Sequence, residues 1–155
     1  MSPFPPSYVP FAASLWISAR LMPVFAKSAP IGALLRMATP AGQTAAYTAL
    51  SSDEIVASVK RVTRRPWRMR GRRCLREGLL AFRYLSLAGH RPLLHFAVEK
   101  ETLRTDRPKA HCWISVNDEV AMNPPSPTML ELFAYDGSQS IPATVLGSSG
   151  ATRFG

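Results

Sequence analysis

Cysteine is scarce in this chain, with Cys74 and Cys112 the only two among 155 residues. Two thiols cannot build a disulfide framework, and neither a C-x-x-C pair nor paired Cys/His spacing occurs, so a structural metal is not expected. Free thiols fit a reducing, cytoplasmic setting. A secretory signal is not expected either, because the N-terminal apolar stretch has no basic lead-in and is broken by Pro3, Pro5, Pro6 and Pro10. The longest uncharged run stops at Arg20, which leaves no clean span of ~20 apolar residues for a membrane helix. Acid is absent from the run Lys60, Arg61, Arg64, Arg65, Arg68, Arg70, Arg72, Arg73 and Arg76. Those nine hold the whole excess charge, because the other ten basic residues balance the ten acids. What binds near the thiol should tolerate or prefer negative charge, unless the run is simply a solvated basic face.

A chain of this length supports one domain with a real core. Residues 1–50 read as proline-punctuated helical pieces, roughly Phe11 to Leu21 and Ile31 to Met37. Their polar face is thin, so they either pack on the core or offer a surface to a partner protein or to the bilayer interface. Residues 51–137 form the core, and from 138 a mobile tail of small polar residues is expected.

Ser51-Ser52-Asp53-Glu54 matches a capping box, and Ile55, Val56, Val59 and Val62 follow at helical spacing up to the stop at Pro66. A second helix, apolar over much of its circumference, runs from Leu75 to Ala88, with Gly89 as its natural terminator. Gly78 inside it predicts a close backbone crossing. Strands are expected at 91–98, at 110–116 and at 119–123, the last two joined at Asn117-Asp118. These elements give an α+β fold: helices first, then a small antiparallel sheet.

The chemistry centres on Cys74. A thiol at a helix start, flanked by arginines, has its thiolate favoured and its pKa lowered. Of the three histidines, His111 stands on the second strand as candidate base, His95 is the fallback, and His90 sits at a helix end. Cys112 points away from His111 by strand alternation and reads as core. Asn123 is the candidate to hold the imidazole tautomer, with Asp118 as competitor. A three-residue hairpin loop, Val116 to Asp118, would set His111 opposite Asn123; a two-residue loop would send Asn123 to the other face. Arg68, Arg70, Arg72, Arg73 and Trp113 are the candidate substrate or partner contacts, the tryptophan shielding the site from water. A rival reading, a basic RNA- or regulator-binding module with a structural thiol, lacks any accompanying nucleic-acid motif.

Arg73-Cys74-Leu75, Leu79-Leu80, Leu94-His95-Phe96-Ala97-Val98 and Ala110-His111-Cys112-Trp113-Ile114-Ser115-Val116 together resemble the transglutaminase-like cysteine peptidases of lasso-peptide biosynthesis, over roughly residues 52–135. The resemblance implies a papain/transglutaminase-like core with extra N-terminal helices, Cys74 as nucleophile and His111 as base, and no cofactor. It further implies removal of the leader from a ribosomally made precursor peptide, a separate leader-recognition protein, and a partner lasso cyclase. Nucleic acid has no place in that scheme. The family pattern usually has aspartate where Asn123 stands. A same-fold acyltransferase or deamidase would carry the same residues.

Overall fold

The computed structural model describes residues 8–64 and 72–144. Four α-helices come first, α1 (Tyr8–Ala26), α2 (Ile31–Ala38), α3 (Ser52–Thr63) and α4 (Arg73–Leu87). Five strands follow, β1 (Pro92–Glu99), β2 (Ala110–Val116), β3 (Glu119–Met122), β4 (Met129–Tyr135) and β5 (Ser140–Pro142). They form one antiparallel sheet in the order β3-β2-β1-β4-β5.

α4 lies at the centre, touching α1, α2, α3, β1 and β2. Strand alternation sorts the sheet into two faces. Leu94, Phe96, Cys112 and Ile114 turn toward α4, whereas His95, Trp113 and Ser115 share the opposite face. The crossing expected at Gly78 is present: a side chain there would meet Leu94 Cδ1 at 2.9 Å and Cys112 Sγ at 3.2 Å. Gly89 ends α4 with φ +88°, a conformation open to glycine at little cost. At α3 the capping box forms, with Ser51 Oγ accepting from the Glu54 amide at 3.3 Å and Glu54 Oε2 accepting from the Ser51 amide at 2.8 Å.

α1 departs from expectation by running straight through two prolines. Pro10 falls in the first turn, where its missing N–H would have had no partner anyway. Pro23 is interior, and its missing N–H strips the carbonyl four residues back, Ala19, of its helical donor. The buried Arg76 of α4 donates a guanidinium hydrogen bond to that carbonyl. The repair lets α1 reach 19 residues, and its segment Val9–Ala26 is then long and apolar enough to cross a membrane, contrary to what the charge at Arg20 suggested.

Two further expectations change. The β2–β3 loop has two residues, not three: Val116 pairs with Glu119, and Asn117 and Asp118 take φ of 53° and 65°, the mirror-image turn that matches strand twist. A bulge follows, with Ser115 opposite Val120 but Ile114 opposite Met122. The extra residue reverses the side-chain parity a second time, which the simple loop-length argument did not foresee. The chain beyond Gly137 does not begin as a tail; Ser140–Pro142 adds β5 to the sheet. Residues 145–155 lie outside the described residues.

Candidate active site

Cys74 is the second residue of α4, and the side chain of Arg72 at the N-cap makes no capping bond to the first turn. The first-turn amides therefore point at the region of the thiol without a side-chain competitor. Cys74 is half-buried and lines a two-lobed cleft. One lobe, about 450 Å³, is walled by Lys60, Arg64, Arg73, Glu77, His111 and Asn123. The other, about 700 Å³, is walled by Ile31, Arg72, Leu75, Arg107, Lys109 and His111 among others. Cys74 and His111 belong to both, so the dyad sits where the lobes meet.

The Cys74 thiol is brought down from 9.0 to about 5. The largest cause is a hydrogen bond from the Cys112 thiol; partial burial opposes it, and the charge and hydrogen bond of His111 add to the lowering. Cys112 moves the opposite way, pushed up by its bond to Cys74 and by burial, so it stays a protonated donor. Its place explains the role: Gly78 is one helical turn after Cys74, and the space a Gly78 side chain would need is filled by Cys112 Sγ. The expectation that Cys112 is core is right as to burial but omitted its contact with Cys74.

Asn123 does orient His111, by a different group from the one expected. His111 Nε2 donates to the backbone carbonyl of Asn123 at 3.0 Å, leaving Nδ1 for the sulfur. The residue takes φ 55°, a left-handed conformation that asparagine tolerates better than most side chains. Its side-chain nitrogen is buried and has no hydrogen-bond partner. Asp118 sits in the hairpin turn, away from this contact.

Trp113 is not a substrate wall. It is 6% exposed and lies between His95, stacked at 4.8 Å and 3°, and His111, at 6.4 Å and 23°. It packs beside the His111 ring. His95, the fallback base, is fully engaged there, with Nδ1 bonded to Glu131 at 2.5 Å and Nε2 to Ser115 Oγ at 2.7 Å. His90 bonds the Leu50 carbonyl at 3.0 Å.

The arginine run divides. Arg68 and Arg70 lie outside the described residues. Arg72 is exposed and lines the larger lobe. Arg73 lines the smaller lobe but pairs with Glu77 at 2.8 Å, and Arg76 is consumed inside the fold. Glu77, unnoticed in the sequence, is 4% exposed and also accepts from Thr63 Oγ1 at 2.9 Å, tying α3 to the start of α4. The spacing Arg73 to Glu77, i to i+4 on a helix, was the available signal. Among the described residues no cluster of three His, Cys, Asp or Glu is placed to hold a metal ion.

A thiolate at a helix start, a strand imidazole against it and a third group fixing that imidazole are found here in one cleft. The model of the transglutaminase-like superfamily matches residues 13–133. This chain belongs to that superfamily. The match begins inside α1, so the N-terminal helices fall within the transglutaminase-like region together with α4 and the sheet through Phe133. Neither a search of curated proteins nor one of solved structures returns a match. Superfamily membership and the dyad together point to a thiol enzyme.

Proposed function

We propose that this transglutaminase-like protein is a cysteine peptidase that releases the leader from a ribosomally made lasso-peptide precursor, ahead of ring closure by a partner cyclase. The observation that carries the catalytic part is the convergence of a Cys74 thiolate, His111 and the Asn123 carbonyl in one cleft. The substrate part is supported by the sequence resemblance and by the exposed Arg72, Arg107 and Lys109 on one lobe and Lys60 and Arg64 on the other. Such flanks favour a peptide with acidic residues near the cut. The precursor would arrive on a separate leader-recognition protein, in a reducing compartment that keeps both thiols free.

In the reaction, Cys74 Sγ attacks the carbonyl at the leader–core junction. Negative charge develops on the carbonyl oxygen, within reach of the first-turn amides of α4. His111 gives a proton from Nδ1 to the departing amine, the C–N bond breaks, and a thioester remains on Cys74. His111 then takes a proton from water, whose oxygen attacks the thioester, releasing the leader carboxylate and restoring the thiolate. Throughout, the Asn123 carbonyl holds Nε2–H in place, so one nitrogen alone exchanges protons.

The test is incubation with the precursor peptide and its recognition protein, followed by mass spectrometry. Free leader and core are expected, with Cys74→Ala and His111→Ala each abolishing release. Leader release by Cys74→Ala would overturn the reading. An amide product in the presence of an added amine, in place of the free acid, would select an acyltransferase.

A further inference from the structure

α1 carries apolar side chains on both its sides, yet the fold buries only one of them. Phe11, Leu15, Ala19, Met22 and Ala26 are buried in the core. On the other side Val9 is 71% exposed, Trp16 53%, Ile17 51%, Leu21 49%, Val24 57% and Phe25 48%. At 3.6 residues per turn these six fall within one half of the helix. Ile31, 44% exposed at the start of α2, carries the surface onward and also lines the larger lobe of the cleft beside Cys74. A contiguous face of this kind marks a contact surface.

Its charge indicates what it contacts. The first 52 residues contain no aspartate or glutamate, while Arg20, Lys27 and Arg36 are cationic. The Arg20 guanidinium lies 4.5 Å over the Trp16 ring, in the middle of the apolar face. An aromatic ring with an arginine beside it suits the boundary between acyl chains and anionic headgroups, where the ring is buried and the charge stays wet.

The helix has the length to span a bilayer, but its attachments hold it flat. Ser14 Oγ and Ser18 Oγ bond the Tyr84 hydroxyl at 2.7 Å and 2.9 Å, Arg76 holds the Ala19 carbonyl, and Phe11 packs edge-on against Tyr84 at 5.5 Å. Spanning would strip all of these from α4. We propose that the exposed face of α1, continued by Ile31, docks the protein on an anionic lipid surface, with α1 lying in the interface and one lobe of the cleft opening at its edge. The inference is independent of the peptidase reading, since binding is measured without a peptide.

The experiment is cosedimentation of the full chain with vesicles of phosphatidylcholine mixed with phosphatidylglycerol, and with phosphatidylcholine alone. Binding to the mixed vesicles is expected, with much weaker binding to the neutral ones. The Ile17→Ser/Leu21→Ser double variant should lose about tenfold or more in affinity, and Arg20→Glu should lose binding while leaving Cys74 alkylation at the wild-type rate. No binding by the full chain, equal binding to both vesicle types, or unchanged binding by the double variant would each overturn the proposal. Self-association that the same double substitution abolishes, without lipid binding, would assign the face to a second copy and also overturn it.

Discussion

Replacing Cys112 by alanine removes the hydrogen bond that does most to lower the Cys74 pKa, without touching Cys74 or His111. A hydrogen bond to a charged group contributes about 1.5–3 kcal/mol. At about 1.4 kcal/mol per pKa unit, Cys112→Ala should raise the Cys74 midpoint by about 1–2 units. The rise should start from a wild-type midpoint near the value of about 5 at which these contacts hold the thiol. The assay is the pH dependence of iodoacetamide alkylation at Cys74, located by peptide mass mapping. The midpoint is the quantity to read, because a thiolate of higher pKa is intrinsically more nucleophilic and blurs the rate at any single pH. Cys112→Ser keeps a donor in the same place and should leave the midpoint near its wild-type value. An unmoved midpoint in Cys112→Ala, or equal displacement in both variants, would refute the claim that the second thiol holds the first as thiolate.

Three other outcomes follow from the same geometry. The acid limb of kcat/KM should lie near pH 5, with activity rising as pH increases through it, because Cys74 must be deprotonated to attack and is held at about 5; a limb above pH 8 would place the thiol at its ordinary value. Asn123→Gly keeps both the carbonyl and the left-handed backbone, so turnover should stay within a few-fold of wild type, whereas Asn123→Val should lose far more; equal, near-complete losses in the two would show that the side chain does the orienting. Gly78→Ala gains about 1 kcal/mol of helix propensity but forces a methyl against Leu94 and Cys112, so chemical denaturation should show a net loss of about 1–2 kcal/mol, and a gain would refute the tight crossing.

The sequence made the local chemistry readable and left the compensations hidden. The capping box at Ser51, the strand 110–116, the glycine crossing and a cysteine at the start of a buried helix follow from propensity and periodicity. The β2–β3 register did not, because a tight turn and a bulge each flip the side-chain alternation and their effects combine. For the same reason Asn123 was found by position but assigned the wrong atom: a backbone carbonyl bears no residue-type signature. The pairing of the exposed Arg73 with Glu77 was legible in their i to i+4 spacing. The burial of Arg76 was invisible, since charge counting does not reveal which guanidinium fills a gap left by a proline.

That last contact has a bearing on how the protein can be cut. Arg76 stands two residues after Cys74, and its guanidinium reaches a carbonyl that is vacant only because position 23 is proline. Remove α1 and the Arg76 guanidinium, one half-turn from Cys74, loses both its carbonyl partner and the helix that covers it; replace Pro23 with a residue bearing an amide and two donors compete for one acceptor. The N-terminal helix is thus a structural cofactor of the catalytic helix, supplied in cis. Truncations and fusions should keep residues 8–26 attached, because a fragment beginning at α3 lacks the carbonyl that Arg76 binds.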